Sequence, residues 1–243
     1  MTVFDRIDEI EALRRRLGER ISVLLHGPAG AGKTLLLEHV LPEFPHLLYC
    51  PQSSSPQAVF RAIARALARK KDAAMLHALG SRPAGTITAV SLKGIVTKVL
   101  RGSGYMIVLD HLNRPSHSMA AVVRELMISC SIPVIAVARS AHMEDAGFVG
   151  PLFPDRGDKF AIKNFDPKTA RSFVRVVAEE HKLAAENFDE LAARIVELSG
   201  GNPGAIVRMV KMARMSKYRL GEHVKLAPLY IDFRLQSVKP EPR

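Results

Sequence analysis

The stretch Gly27-Pro28-Ala29-Gly30-Ala31-Gly32-Lys33-Thr34 constrains this chain more than any other part of it. In a G-x-x-x-x-G-K-T spacing, the glycines let successive main-chain N–H groups turn toward one point, and the helix that follows adds the partial positive charge of its amino end. Such a loop needs a strand before it and a helix after it. Residues 21–25, a short apolar run rich in β-formers, supply the strand, and residues 34–40 read as the helix. In that setting Lys33 would reach the β- and γ-phosphates of a nucleoside triphosphate. Thr34 would ligate magnesium, and Leu35 follows as the next residue of the cofactor-binding set.

The rest of the chain extends the same alternation. Further strand candidates are residues 47–50, 105–109, 133–138 and 159–162, with helical patterns between them, which predicts a parallel sheet covered on both faces. Residues 5–20 form an amphipathic helix on Ile7, Ile10, Leu13 and Leu17, ended by Gly18. Ser55-Pro56 is a cap followed by proline at the first helical position. The helix it starts carries Phe60, Ile63 and Leu67 on one stripe and Arg61, Arg65 and Arg69 on another. A second basic helix spans residues 88–100. After Asn164 the strand signals stop, and three helical patterns follow at 167–181, 188–198 and 203–217. The apolar patch 226–233 reads as a docking strand or tail. The expected division is therefore 1–165, 166–218 and 219–243.

Composition narrows the compartment and the partners. The two cysteines, Cys50 and Cys130, form no CxxC pair, so reduced thiols are expected and neither a disulfide framework nor a zinc site is. The longest apolar runs are strand-sized, which predicts no membrane span and a cytoplasmic protein. Of the net charge of +11, residues 51–104 carry +8 and residues 204–243 carry +6, so the remainder is acidic. Segregation of this kind suits a polyanionic partner.

Four further positions bear on chemistry. Residues 105–110 read as a buried strand ending in Asp110, where a carboxylate would stand beside the metal; the plainer reading is a cap on the next helix. His111 follows it, as a neutral base or as a surface histidine. If the strand 133–138 lies between the loop strand and the Asp110 strand, Arg139 would face the γ-phosphate. Arg156, in a loop before the last strand, is placed to reach a neighbouring subunit, with Arg114 and Arg124 as competitors.

Together these pieces resemble the AAA+ and related STAND ATPases over residues 4 to about 217. Phe4, Arg6 and Glu9 are similar to the F-x-x-R-x-x-E box before the P-loop, one residue shorter here between Phe4 and Arg6, residues 27–34 and 107–110 match the Walker motifs, and Arg139 resembles a sensor arginine. Residues 199–204, with Pro203, look like the G-x-P lid motif. The resemblance implies a P-loop NTPase fold with a parallel β-sheet sandwiched by helices and then a small all-α lid. It implies ATP and magnesium as cofactors, with Arg6 and Pro203 in the nucleotide site. It further implies a homo-oligomer, ring or filament. In this class glutamate commonly follows the Walker carboxylate, so His111 predicts slow hydrolysis.

Two branches fit. Small DNA-associated AAA+ proteins, helicase loaders and transposition regulators, use the interval between the Walker motifs to follow DNA. Here that interval holds Arg61, Arg65, Arg69, Lys70, Lys93, Lys98 and Arg101, suited to double-stranded DNA bound through phosphates without base specificity. A protein client such as a transposase or a helicase goes with this branch. The other branch is a STAND-like switch in signalling or defence; with only residues 219–243 after the lid, it would act through separate partner chains.

Overall fold

The structure, a computed structural model, describes residues 3–80 and 86–238. Arg82, Lys239 and Arg243, which contribute to the two basic segments, lie outside the described residues, as do Pro240 and Pro242. Among the described residues no helix is long and apolar enough to cross a membrane. The chain forms two compact units. One comprises Arg6–Gly27 and Lys33–Ile162; the other gathers residues 3–5, Pro28–Gly32 and the chain from Lys163 onward.

In the first unit the elements run α1 (Ile7–Gly18), β1 (Val23–His26), α2 (Lys33–Val40), β2 (Leu47–Cys50), α3 (Pro56–Arg69), α4 (Ala73–Leu79), α5 (Ala89–Leu100), β3 (Met106–Leu109), α6 (His117–Arg124), β4 (Val134–Ala138), α7 (Met143–Ala146) and β5 (Lys159–Ala161). All strand pairings are parallel and the order is β2-β3-β4-β1-β5. Every residue of β3 and of β4 is buried. Uninterrupted apolar strings such as Val-Ile-Ala-Val-Ala are what a parallel strand covered on both faces requires, and each fully buried aliphatic side chain contributes about 1.5–3 kcal/mol.

Local capping fixes where the helices begin. The Ser55 hydroxyl accepts the Ala58 N–H at 3.2 Å ahead of Pro56, and Asp72 accepts the Met75 N–H at 2.8 Å to start α4. Thr88 does the same for α5, accepting the Ser91 N–H at 3.3 Å. Helices α3 and α5 then bury Val59, Phe60, Ile63, Ala64 and Leu67 with Leu92, Val96 and Leu100 in one core. At its end α6 widens into a π turn over Glu125–Ser129, which leads into the short connection before β4.

The second unit is built on α8 (Pro167–Glu180), α9 (Phe188–Ser199) and α10 (Pro203–Ala213), with a two-stranded hairpin of β6 (Arg219–Leu220) and β7 (His223–Val224) and then α11 (Leu226–Val238). Asp166 and Asn202 cap the helices that Pro167 and Pro203 open. Phe4, Phe165 and Phe173 form an aromatic cluster with centroids 5.2–6.0 Å apart. The helical pattern read over 203–217 stops at Ala213, because Tyr218 turns inward to donate its hydroxyl to Asp232 at 2.7 Å.

Residues 226–233, expected as a strand or tail, are helical. Leu229 and Phe233, four residues apart, bury together, and Pro228 falls in the first turn, where its missing N–H costs little. The hairpin is held by Asn187, whose amide takes the Val224 N–H and gives to the Val224 carbonyl, both at 2.9 Å.

Gly201 shows how tightly this unit is tied. Its φ is +72° and an added Cβ would lie 2.0 Å from the Phe165 carbonyl oxygen, while Phe165 N–H donates to Gly201 at 3.0 Å. Gly201→Ala is therefore expected to cost about 3 kcal/mol, from left-handed strain plus the clash. A urea melt followed by circular dichroism checks this; an unshifted midpoint would refute it.

Candidate functional site

Strand order decides which side chains meet. Because β4 lies between β1 and β3, the residues that follow the three strands, Gly27, Arg139 and Asp110, emerge along one sheet edge. That is the carboxyl edge, where α/β sheets carry their ligands. The condition set on Arg139 by the sequence is thus met: it is the exposed residue immediately after β4, and its charge bears on Lys33.

Asp110 is the centre of the arrangement. It is 1% exposed. Its Oδ2 accepts the Thr34 hydroxyl at 3.0 Å and the Tyr49 hydroxyl at 2.8 Å, and its Oδ1 accepts the His111 main-chain N–H at 2.7 Å. The first of these bonds joins residues 76 apart in sequence and brings the hydroxyl at the head of α2 onto the carboxylate at the end of β3. Two hard oxygen donors at this separation suit a magnesium ion sharing its shell with phosphate oxygens and water.

Lys33, the first residue of α2, donates its Nζ to the Gly27 carbonyl at 2.5 Å and so bridges the two ends of the loop. Burial holds its ammonium below the usual lysine range, with Asp110 pulling it up and Arg139 pressing it down. An anion at this point would restore what burial removes. His26, the last residue of β1, is likewise lowered, first by burial and then by the charges of His142, Lys159 and Lys33.

Within the second unit, residues 28–32 pack against the start of α10. Asn202 Nδ2 donates to the Ala29 carbonyl at 2.9 Å, and the Gly204 N–H donates to the Gly30 carbonyl at 3.0 Å. Gly30 has a φ of +79°, and a Cβ on Gly204 would come within 2.9 Å of the Gly30 Cα, so main chain meets main chain here. Pro28 and Ala29 are exposed, Ala31 is buried, and Pro203 is buried at the first position of α10. Gly32, Thr34 and Leu35 are half-buried.

Other expected residues are placed apart from this cluster or are engaged elsewhere. Arg6 is buried and pairs with Glu9 at 2.6 Å. His111 adopts a φ of +57°; its ring is 64% exposed and its Nε2 lies 3.8 Å from Asp110 Oδ2. Arg156 is exposed in its loop. Arg114 donates Nε to the Glu144 carbonyl at 2.9 Å, knitting the loop after β3 to α7, and Arg124 lies exposed at the end of α6.

The basic set divides by environment. Arg65, Arg69, Lys98 and Arg101 are exposed on α3, α5 and the turn after α5. Arg61 is half-buried with its Nε lacking a hydrogen-bond partner, Lys70 donates to the Pro45 carbonyl, and Lys93 pairs with Glu125 at 2.7 Å. Tyr49 and His26 are the neighbours of the cluster that the sequence did not single out. Tyr49 sits in an apolar strand string, and burial, followed by its bond to Asp110, raises its hydroxyl well above the tyrosine range.

A family model described as an AAA domain matches residues 7–145. No curated protein matches the chain. Among solved structures, the chain is similar to a Walker-type ATPase of Pyrococcus abyssi, at 15% identity and a TM-score of 0.62, with 97% of this chain and 73% of that one covered. It is similar to Drosophila ORC bound to DNA, at 14% identity and a TM-score of 0.62, covering 98% of this chain and 62% of that one. It is also similar to Thermotoga maritima RuvB, a Holliday junction branch migration motor, at 19% identity and a TM-score of 0.55, covering 93% and 65%. At these identities the structural likenesses speak to the fold.

Proposed function

Since this chain belongs to the AAA domain family and is an AAA+ P-loop ATPase, we propose that it binds ATP with magnesium on residues 27–35, assembles with further copies of itself, and grips duplex DNA without base specificity. The observation that carries the nucleotide part is the Thr34–Asp110 hydrogen bond at 3.0 Å, which joins the residues of the two Walker motifs at one point. A bound magnesium ion would neutralise developing charge on the phosphates. Thr34 and Asp110 hold that ion, Lys33 meets the β- and γ-phosphates, and Arg139 reads the γ-phosphate. The family resemblance adds Arg6 and Pro203 to the proposed nucleotide-binding set.

His111 stands where a carboxylate commonly orients water, so turnover is slow. Arg156, exposed in its loop, serves a neighbouring subunit's nucleotide. A ring or filament follows from that arrangement, in the cytoplasm, with a transposase or helicase as a fitting client.

The DNA part rests on Arg65, Arg69 and Lys98, exposed on two helices that pack together, and on Arg101 in the turn after the second. The likeness to a DNA-bound ORC chain and to a branch migration motor supports it. Phosphate contacts of this kind release counterions, each steepening the salt dependence by about one unit of log–log slope. Replacing Arg65, Arg69 and Lys98 with glutamine is expected to flatten the slope for duplex binding by about 3, with nucleotide binding unchanged. Fluorescence anisotropy over a salt series measures it. An unchanged slope would remove DNA from this face and favour the alternative, a STAND-like switch in signalling or defence that acts through partner proteins. The Gly204 main-chain bond and the Asn202 side-chain bond to residues 28–32 suit that alternative.

A further inference from the structure

We propose that Tyr49 is a positioning residue for the metal-side carboxylate, an inference that rests on the nucleotide site described above. Strand β2 places it there. Tyr49 pairs in register with Val108 and Cys50 with Leu109, and the Asp110 N–H donates to the Cys50 carbonyl at 3.0 Å. The main chain of β2 therefore holds the backbone of Asp110 while the side chain one residue earlier holds its carboxylate.

A buried carboxylate turns about its Cβ–Cγ bond unless both oxygens are tied. Here Oδ1 is tied by the His111 N–H, and Oδ2 is shared by Thr34 and Tyr49 at 3.0 and 2.8 Å. Were a cation bound, Thr34 would give it its oxygen, and the hydroxyl would no longer be free to serve the carboxylate alone. The Tyr49 hydroxyl then remains as the tie on Oδ2 that does not depend on the ion. Its ring is half-buried and rooted in the sheet, so the donor is fixed in advance. Groups that hold a metal-side carboxylate from behind typically affect metal affinity by 10- to 100-fold when lost.

The experiment compares the affinity of a fluorescent ADP analogue in EDTA with its affinity in excess magnesium, for the parent and for Tyr49→Phe. The hydroxyl is removed while the ring remains. Tyr49→Phe is expected to bind the analogue in EDTA as the parent does, while the gain in affinity that magnesium confers falls by roughly tenfold. In an Asp110→Asn background the same substitution should add nothing further.

An undiminished magnesium gain in Tyr49→Phe would overturn the role of Tyr49 while leaving the site in place. Equal weakening with and without magnesium would also overturn it, since that marks a merely structural loss. Failure of the parent to bind the analogue at all would sink both the site and this inference.

Discussion

Lys33→Ala is expected to bind an ATP or ADP analogue at least about 100-fold more weakly than the parent, with an unchanged circular dichroism spectrum. A charged hydrogen bond to phosphate contributes about 1.5–3 kcal/mol, and roughly 1.4 kcal/mol is a factor of ten. The upper end applies because the ammonium is half-buried and held low by desolvation, so an arriving anion gains more from it than it would at an open surface. In the absence of nucleotide the Lys33 ammonium donates to the Gly27 carbonyl at the loop's own mouth. Isothermal calorimetry decides the matter: parent-like affinity in Lys33→Ala would place the phosphates elsewhere.

Asp110→Asn has a different signature. In EDTA the variant should bind an ADP analogue as the parent does, because the role proposed for the carboxylate is toward the metal and not the nucleotide. With magnesium and ATP, turnover should fall roughly 10²- to 10³-fold, the range for removing one preorganised electrostatic element. Asparagine keeps the shape of aspartate, and its amide oxygen can still accept from Thr34 and Tyr49, while its amide nitrogen replaces the oxygen that accepted the His111 N–H. The loss is therefore of charge and of that one acceptor more than of packing. Turnover within threefold of the parent, measured by phosphate release, would show that this carboxylate is not the one that serves the metal. The two variants together separate phosphate binding from metal binding, which neither does alone.

The nucleotide loop and Asp110 were legible in the sequence for a shared reason. Their chemistry is concentrated in consecutive residues, and apolar strings mark the strands that carry them. Arg139 was legible only conditionally, since its value depends on β4 lying between β1 and β3, and strand order is a product of long-range pairing that a local pattern does not encode. Tyr49 could not be found at all. Leu-Leu-Tyr-Cys reads as core, and the partner of its hydroxyl is set by the register of β2 on β3.

The arginine stripe on α3 shows the opposite failure. Spacing of four residues put Arg61 with Arg65 and Arg69 on one face, yet the packing of the first unit covers part of Arg61 and leaves the other two outside. Lys93 reads as one more surface cation, but the π turn after α6 supplies Glu125 as its partner. In the C-terminal stretch, the apolar patch 226–233 reads as a docking strand or tail because apolar content alone does not set a period. Pro228 sits in the first turn, where it is tolerated, and the burial of Leu229 with Phe233 selects the helix.

Gly30 and Gly204 meet with no side chain between them, fastened by one N–H to carbonyl bond and flanked by Asn202 on Ala29. A bare-backbone seam of this kind has no compliance: a side chain could rotate to absorb a displacement, whereas two glycine main chains can only move together or part. Any influence that shifts the first turn of α10 is consequently delivered directly to residues 28–32, the curve of chain proposed to hold the phosphates. The sensitivity of that curve is thereby set by the helix that follows Pro203.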